Sequence, residues 1–285
     1  MPSPESQEEP CSSTPAATAS SEEVESPAPP APTGSYTYLA SDGPILDVAT
    51  NARANTLANT PESPIQTATK ILVGLLTGLS AAIPSKPAAS IADHCILLYT
   101  QYVFGTIPVC HEATVRATVG RFFIPLSDAA SPADDNHARA SRCFAADTER
   151  ERIQALRNIT LLTALCAAVS YVVPESLLAE KHLVAPLFLR AARKTLTIYQ
   201  DYDLEHPDSS SLSIRLFLSS SIQTASGTHR VAFRILGEAG LIAMRMGLYD
   251  EELKGRNPIE ETLLRNSFWQ LTDSQGKIAE FYAVV

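Results

Sequence analysis

The sequence predicts an all-α fold, a bundle of antiparallel helix pairs preceded by a disordered N-terminal tail. Apolar residues recur at helical spacing in several segments, and helix-capping residues stand where those segments begin. No segment shows an equally clear alternation of apolar and polar residues, which is typical of a half-buried strand. With 285 residues, of which 45% are hydrophobic and 19% charged, the chain can bury the core of one or two globular domains.

The first predicted helix begins near Ser90 and ends near Phe104. Ser90 and Asp93 have the spacing of a capping box at its start. Its apolar residues recur at i, i+4, i+7 and i+11, and this spacing places them on one face of a helix. They are Ile91, Cys95, Leu98 and Tyr102.

A second predicted helix starts at Thr148 and runs to Pro174. Glu151 stands three residues after Thr148, as the partner residue of a capping box does. Pro174 and Pro186 each suit the first turn of a following helix. Backbone amides in that turn make no hydrogen bond within the helix, so the missing amide proton of proline costs nothing there. The apolar positions of the second helix include Ile153, Leu156, Leu161, Leu165 and Ala168.

The clearest helical pattern covers residues 228–246. Gly237 and Gly240 lie inside it, and we expect them to let a neighbouring helix approach closely. Gly247 followed by Leu248 predicts a left-handed C-cap with its hydrophobic contact. The apolar face of this helix consists of Val231, Ile235, Ala239, Ile242 and Met246.

The last predicted helix opens at Asn257, Pro258 and Glu260, which supply an N-cap, a first-turn proline and a capping-box glutamate. Phe268 and Trp269 are adjacent on this helix. Such a pair could stack a base or a ligand, but aromatic residues on an amphipathic helix are usually in the core. The apolar positions are Leu264, Phe268 and Leu271.

Composition divides the chain into three parts. Residues 1–35 are rich in Pro, Ser and Glu and predict a disordered tail. Residues 36–87 predict a linker with at most one short helix, because prolines bracket its one apolar segment. Residues 88–285 predict an incomplete helical domain. Eight acidic residues precede the first basic residue, Arg53, so only −1 of the net charge of −9 belongs to residues 53–285.

The charge pattern argues against duplex-DNA binding by this chain, which would need clustered Lys and Arg residues. The densest basic stretch is Arg190, Arg193 and Lys194, and its helical spacing indicates a solvated face. The longest apolar runs are residues 71–83 and 159–173, shorter than the ~20 residues that cross a bilayer, so no membrane span is predicted.

The five cysteines do not have the spacing of a zinc site, and no cofactor is predicted for this chain. Cys95 and Cys166 are expected to be small apolar core residues. Sequence signatures of hydrolases, nucleotide-binding loops and metalloproteases are missing. A polar stretch over residues 127–141 predicts a surface loop.

The acidic segment from Asp201 to Asp208 has two interpretations. Its carboxylates could belong to an all-α magnesium-dependent enzyme. A solvated inter-helix loop with capping acids is favoured instead, because no Lys or Arg accompanies the segment in the sequence to hold a phosphate.

The segment from Cys95 to Thr114 resembles the opening of the middle homology region of fungal zinc binuclear-cluster (six-cysteine) transcription factors. In that family, a helix with spaced Tyr and Phe residues runs into a Pro-x-x-His-x-x-Thr-like turn. Tyr99 lies on the helix, and Pro108, His111 and Thr114 occupy the positions of the turn.

Two later segments resemble the same family, so that the resemblance covers residues 90–285. Gly237, Gly247 and Leu248 match a helix that ends in a Gly-Leu-His/Tyr turn. The family then has a Glu-x-x-x-Arg-x-x-Phe-Trp-x-Leu segment. Its matches here are Glu261, Arg265, Phe268, Trp269 and Leu271. Gln275 stands near the place where the family has an aspartate, and the family domain continues beyond this helix. The sequence leaves open a truncated gene model or a stand-alone protein.

The resemblance implies a nuclear, non-enzymatic regulatory domain that controls RNA polymerase II transcription of metabolic genes, with carbon-source use the closest match. It implies protein partners or co-regulators, with a homodimer as one alternative. DNA binding and zinc are expected only in the zinc-cluster module of the family, which has no counterpart in this sequence. A stand-alone helical adaptor for protein partners is the second hypothesis. The magnesium-dependent enzyme is the third.

Overall fold

The computed structural model describes residues 63–126, 133–227, 229–249 and 257–284. These residues contain no strand, and the all-α prediction is confirmed. The predicted tail, residues 1–35, lies outside the described residues. The helices are α1 (Pro64–Ala82), α2 (Ala88–Leu98), α3 (Glu112–Phe122), α4 (Ala133–Phe144), α5 (Glu149–Val172), α6 (Lys181–Glu205), α7 (Ser209–Ser226), α8 (His229–Arg245) and α9 (Pro258–Val284).

Helix α5 lies at the centre of the bundle because its sequence is apolar on most faces. Sixteen of its 24 residues are buried. It packs along α6 and α7, and α7 in turn packs against α8 and α9. Short loops join α5 to α6 and α7 to α8, so the helices of each pair are antiparallel. Cys95 and Cys166 are fully buried free thiols, which confirms their prediction as core residues.

Helix α1 shows that the predicted start of the domain at residue 88 is wrong. It has 19 residues, buries six side chains, and packs against α6 and α4. Ser63 and Gln66 form a capping box at its start, and Pro64 occupies the first turn, where proline is tolerated. The prolines around this segment therefore bound a core helix, and the predicted linker of residues 36–87 contains part of the folded unit.

A π-helical turn at Tyr99–Val103 changes the face that α2 presents to the core. The amide of Phe104 donates to the carbonyl of Tyr99, five residues earlier, at 2.7 Å. The extra residue in the turn rotates the side chains that follow. Val103 is consequently buried, whereas Tyr102 is 56% exposed. The prediction that Tyr102 lies on the apolar face is wrong for this reason.

Of the helix starts predicted at Ser90, Thr148, Pro174 and Pro186, only the one at Thr148 is confirmed. Thr148 and Glu151 form the expected capping box, with bonds of 3.2 and 3.3 Å. Ser90 lies inside α2, which begins after Pro87. Pro174 begins a turn that does not continue as a helix. Pro186 lies inside α6, which starts five residues earlier, so its predicted place in a first turn is wrong.

The end of α8 confirms the predicted left-handed cap. Gly247 has φ +67°, which favours glycine. The amide of Leu248 donates to the carbonyl of Ala243 at 3.0 Å, and the amide of Gly247 donates to that of Met244 at 3.0 Å. These two bonds form a Schellman motif, and Leu248 is buried behind it.

The two glycines inside α8 differ. A Cβ added to Gly240 would lie 3.0 Å from Nε2 of Gln275 on α9, so close approach of a second helix is confirmed there. A Cβ added to Gly237 would meet nothing within 4 Å, so the same prediction is wrong at that position.

Helix α9 begins as predicted, because Oδ1 of Asn257 accepts a hydrogen bond from the amide of Ile259 at 3.0 Å. Leu264 and Leu271 are buried. Phe268 is half-buried, but Trp269 is 68% exposed, so the expectation that both aromatic residues belong to the core is wrong for Trp269.

Helix α4 replaces part of the surface loop predicted over residues 127–141. Its C-terminal half buries Ala140 and Phe144, and the ring of Phe144 packs 5.2 Å from that of Phe122. Asp135 and Arg139 form an i,i+4 ion pair at 2.9 Å. The small and polar residues of this stretch therefore form an amphipathic helix once α3 and α1 cover its apolar side.

Two described helices, α1 and α5, are long and apolar enough to cross a membrane by length and composition alone. Of the apolar window of α5, 83% is buried inside the protein, against 28% for α1. A core helix of a soluble protein passes the same test, so these helices are weak evidence for a membrane span.

Candidate functional site

The segments that carry the family resemblance meet in space although they are far apart in the chain. The loop of residues 104–111 after the π-helical turn lies against the first half of α9. Nδ2 of Asn266 donates to the carbonyl of Pro108 at 2.9 Å, and Nε2 of Gln270 donates to that of Thr106 at 2.6 Å. We call the space between this loop and residues 258–266 of α9 the motif cleft.

Four consecutive carbonyl groups hold the loop in place, each accepting a hydrogen bond from a side chain. Besides those of Thr106 and Pro108, the carbonyl of Ile107 accepts from the hydroxyl of Tyr99 at 2.7 Å. The carbonyl of Val109 accepts from Oγ of Ser213 on α7 at 2.6 Å. The four donors come from the π-helical turn, α7 and α9. An irregular segment thus has its backbone polar groups satisfied by side chains rather than by secondary structure.

Tyr99 is the central residue of this arrangement. Its ring is fully buried and packs edge-on against Phe104 and Phe217, with centroids 5.8 Å from each. Its hydroxyl also accepts a hydrogen bond from the amide of Cys110 at 3.2 Å. Burial raises the pKa of the Tyr99 phenol well above its usual range. The phenol therefore stays protonated and can hold two backbone groups at once.

The motif cleft has a volume of about 560 Å³, which is within the range of small-molecule sites. Its lining includes Tyr99, Phe104, Pro108, Cys110, His111, Glu112, Ile259 and Asn266. Burial raises the pKa of the Cys110 thiol to about 12, so it is protonated at neutral pH and is a poor nucleophile. The hydrogen bond from Arg116 lowers the pKa of Glu112, an exposed carboxylate at the rim.

His111 and Thr114 stand at the outer edge of the cleft, where α3 begins. Nδ1 of His111 lies 3.4 Å from Oγ1 of Thr114, and both residues are exposed. The structure therefore places the predicted turn residues at the surface, next to the buried Tyr99.

The remaining motif residues lie along α9 and at the end of α8. Tyr249 follows the α8 cap and packs edge-on against Phe268 at 4.9 Å, and Trp269 lies beside Phe268 at 6.1 Å. We call these three residues the aromatic surface. Arg265 is exposed and pairs with Glu261 at 2.6 Å. Gly237, by contrast, lies on the open side of α8 and belongs to neither feature.

A second polar assembly, which we call the charged cluster, was not foreseen from the sequence. Asp203 is fully buried on α6 between two arginines of other helices. One carboxylate oxygen lies 2.7 Å from Nε of Arg157 on α5, and the other lies 2.5 Å from Nη1 of Arg215 on α7. Oγ of Ser211 donates to Asp203 at 2.7 Å. Each guanidinium also meets a further carboxylate, 3.3 Å away at Asp208 and 3.5 Å away at Glu238.

The charged cluster corrects the interpretation of the acidic segment from Asp201 to Asp208. The sequence suggests no basic companion, but Arg157 and Arg215 arrive from outside the segment. Only Asp208 is a capping acid, accepting from the amides of Ser210 and Ser211 at 2.9 and 3.2 Å. Both oxygens of Asp203 are occupied by arginines and a serine, which leaves neither free to bind a magnesium ion.

The electrostatics of the charged cluster favour a charged Arg157 and a neutral Tyr199. Burial opposes the charge on Arg157, but attraction to Asp208 and Asp203 outweighs it and raises the pKa of the guanidinium. Burial and the nearby Asp203 likewise raise the pKa of Tyr199 above its usual range. These are the features of a structural ion-pair network inside a helical core.

Among the described residues, no group of three or more His, Cys, Asp or Glu side chains could hold a metal ion. No protein-family model, curated protein or solved structure matches this chain.

Proposed function

We propose that this chain is the non-enzymatic regulatory domain of a fungal-type transcription factor, working in the nucleus through contacts with protein partners. One observation carries the proposal. Segments that resemble the family at Tyr99–Thr114 and at residues 258–271 assemble into a single motif cleft. Because the two segments lie together, one partner can contact both of them.

The chemistry of the motif cleft supports binding rather than catalysis. The carbonyls of residues 106–109 are bound to side chains, the Cys110 thiol is protonated, and the Tyr99 phenol holds the loop. The groups that remain open to a partner are at the surface, notably His111, Arg265 and Trp269. Exposed Trp and Arg side chains supply much of the binding energy at protein interfaces. In this proposal, DNA is contacted only by a separate zinc-cluster module.

Transcription from a reporter gene tests the proposal. The full chain is fused to a heterologous DNA-binding module in a fungal cell, and we expect it to change transcription relative to the module alone. Trp269→Ala is expected to reduce that change, because it removes an exposed side chain of the aromatic surface. Leu241→Ala is the matched control, since Leu241 is 57% exposed on α8 and lies outside the cleft.

Two results would contradict the proposal. One is reporter transcription identical to that of the module alone, from a fusion that is present in the nucleus and folded. The other is tight, sequence-selective binding of the purified chain to duplex DNA with a steep dependence on salt.

The second hypothesis, a stand-alone helical adaptor, is favoured by the aromatic surface. Tyr249 is 56% exposed and Trp269 68% exposed, and they flank the half-buried Phe268. An aromatic group of this kind is typical of the centre of a protein interface. Sedimentation of the purified chain over a range of concentrations tests for a homodimer. Dissociation on Trp269→Ala but not on Leu241→Ala would support the adaptor, and a monomer at all concentrations would exclude self-association.

A further inference from the structure

Two open grooves flank α6, and neither shares a lining residue with the motif cleft. One lies between α6 and α1 and has a volume of about 510 Å³. The other lies between α6 and α8, above α7, and has a volume of about 450 Å³. Arg190, Lys194 and Thr197 line both grooves, so the exposed ridge of α6 separates two halves of one surface.

The ridge of α6 carries three cations without a countercharge. Arg190, Arg193 and Lys194 are spaced at i, i+3 and i+4, and the residues one turn before and after each of them are uncharged or basic. None of the three forms an ion pair with any residue in the described part of the chain. Like charges at this spacing destabilise a helix. An anion from outside the chain would relieve that repulsion.

Each groove is also lined by one basic residue from a neighbouring helix. Lys70 of α1 lines the first groove, and Arg234 of α8 lines the second. The one acidic residue in either lining is Glu238, and its carboxylate is already engaged. Oε1 of Glu238 lies 2.9 Å from Nη1 of Arg234 and accepts from Gln200 at 3.2 Å. Its other oxygen lies 3.5 Å from Nε of the buried Arg215.

The floor of the α6–α8 groove is apolar. Leu196, Leu218 and Ile235 contribute buried side chains from three different helices. The floor would exclude a nucleic-acid backbone, which needs a polar surface, but it suits a hydrocarbon body. Its volume is within the usual range for small-molecule sites.

We propose that the α6–α8 groove binds a small amphipathic organic anion, a carboxylate or phosphate that carries an apolar chain. The anionic group lies among Arg190, Arg193 and Lys194, and the apolar chain lies on the floor. This inference goes beyond the proposed function and does not depend on it, because a binding measurement on the purified full chain tests it directly.

Calorimetric titration of the full chain with decanoate and with decyl phosphate tests the inference. We expect saturable binding of both probes, and weak or no binding of decanol or of inorganic phosphate. The double variant Arg193→Gln with Lys194→Gln should weaken binding by about 5- to 30-fold, the factor expected for two exposed ion pairs. Both positions are exposed and lose a like-charge repulsion, so the variant should fold.

Two further variants complete the test. Thr197→Trp places a large side chain on the ridge and should abolish binding by filling the groove. Arg142→Gln with Arg150→Gln removes two exposed cations that do not line either groove and should leave the affinity unchanged. Far-UV circular dichroism and the midpoint of urea unfolding confirm that each variant is folded.

Four results would overturn the inference: no binding of either anionic probe, binding of decanol as tight as that of decanoate, an equal loss of affinity in the Arg142 and Arg150 control, or full affinity in folded Thr197→Trp. Binding to phosphatidylserine vesicles without binding of the monomeric probes would also overturn it, and would assign the cations to a membrane surface instead.

Discussion

The charged cluster and the motif cleft hold distant segments together in different ways. In the charged cluster, Asp203 joins α5, α6 and α7 through two arginines, and all three side chains are almost fully buried. In the motif cleft, neutral side chains hold a loop by donating to its carbonyls, and the bond from Asn266 is partly buried whereas that from Gln270 is exposed. One assembly uses ionised groups in the core, the other uncharged groups at an edge.

This difference predicts how each assembly responds when one of its side chains is removed. A buried charge that loses its partner is left without water, so its desolvation is uncompensated. A carbonyl at the edge of the fold that loses its side-chain donor can be hydrated instead. We therefore expect changes in the charged cluster to affect folding, and changes at the motif cleft to affect the position of a loop.

Asp203→Ala is expected to have the largest effect. It leaves Arg157 and Arg215 buried without their shared carboxylate and should lower the free energy of unfolding by about 3 to 5 kcal/mol. Urea unfolding followed by circular dichroism measures it. Asp201→Ala, two residues away and exposed, is the matched control and should change stability by less than about 0.5 kcal/mol. Equal effects of the two variants would refute the structural role of the cluster.

Tyr99→Phe should have the next largest effect and lower the free energy of unfolding by about 2 to 3 kcal/mol. The ring and its packing remain, but the carbonyl of Ile107 loses its donor and the buried amide of Cys110 loses its acceptor. Amide hydrogen exchange should show faster exchange at Cys110 than in the natural protein. Unchanged exchange at this amide would contradict the assigned hydrogen bond.

The Cys110 thiol predicts a loss of stability at high pH. Burial raises its pKa to about 12 in the folded chain, against 9.0 for an ordinary thiol. Above pH 9 the unfolded chain loses this proton while the folded chain keeps it, so stability falls as the pH rises. At about pH 10.5 the contribution is up to about 2 kcal/mol. Between pH 8 and pH 10.5, the free energy of unfolding of Cys110→Ala should decrease by about 2 kcal/mol less than that of the natural protein. Equal decreases in the two proteins would contradict this prediction.

Asn266→Ala should cost about 1 kcal/mol, since it removes one neutral hydrogen bond to the carbonyl of Pro108. Thr272→Ala is the control on the same helix, because Thr272 is exposed and bonds only within α9. The same pair of variants, compared in the reporter assay, shows whether the position of the loop matters for regulation.

Arg265→Ala should have the smallest effect on stability, below about 0.5 kcal/mol, because its ion pair with Glu261 is exposed. Its place in the family-like segment instead predicts reduced reporter transcription. A large loss of stability would show that Arg265 supports the fold rather than a partner contact.

Features formed by neighbouring residues could be predicted from the sequence. The Thr148 capping box and the Asn257 cap close within three residues, and the Gly247 cap closes within five. Helical periodicity also predicted the buried faces of α5, α8 and α9. Local signals were less informative at α1, where the prolines at its two ends suggested a linker.

The candidate site was predictable only as a set of separate motif residues. Asn266 bonds to a residue 158 positions away, and Arg157 bonds to Asp203 across 46 positions. No local pattern encodes such pairs, since they depend on which helices become neighbours. A single π-helical turn also placed Val103 rather than Tyr102 on the buried face that follows Tyr99.

Local chemistry thus specified the helical class, the caps and most of the apolar faces, because these depend on residues within one or two turns. The pairing of Asp203 with two arginines, the anchoring of the loop by four carbonyls and the cationic ridge between two grooves depended on the packing of the whole bundle. Packing brings together side chains from different helices, and their charged and hydrogen-bonding groups find partners only in the packed bundle.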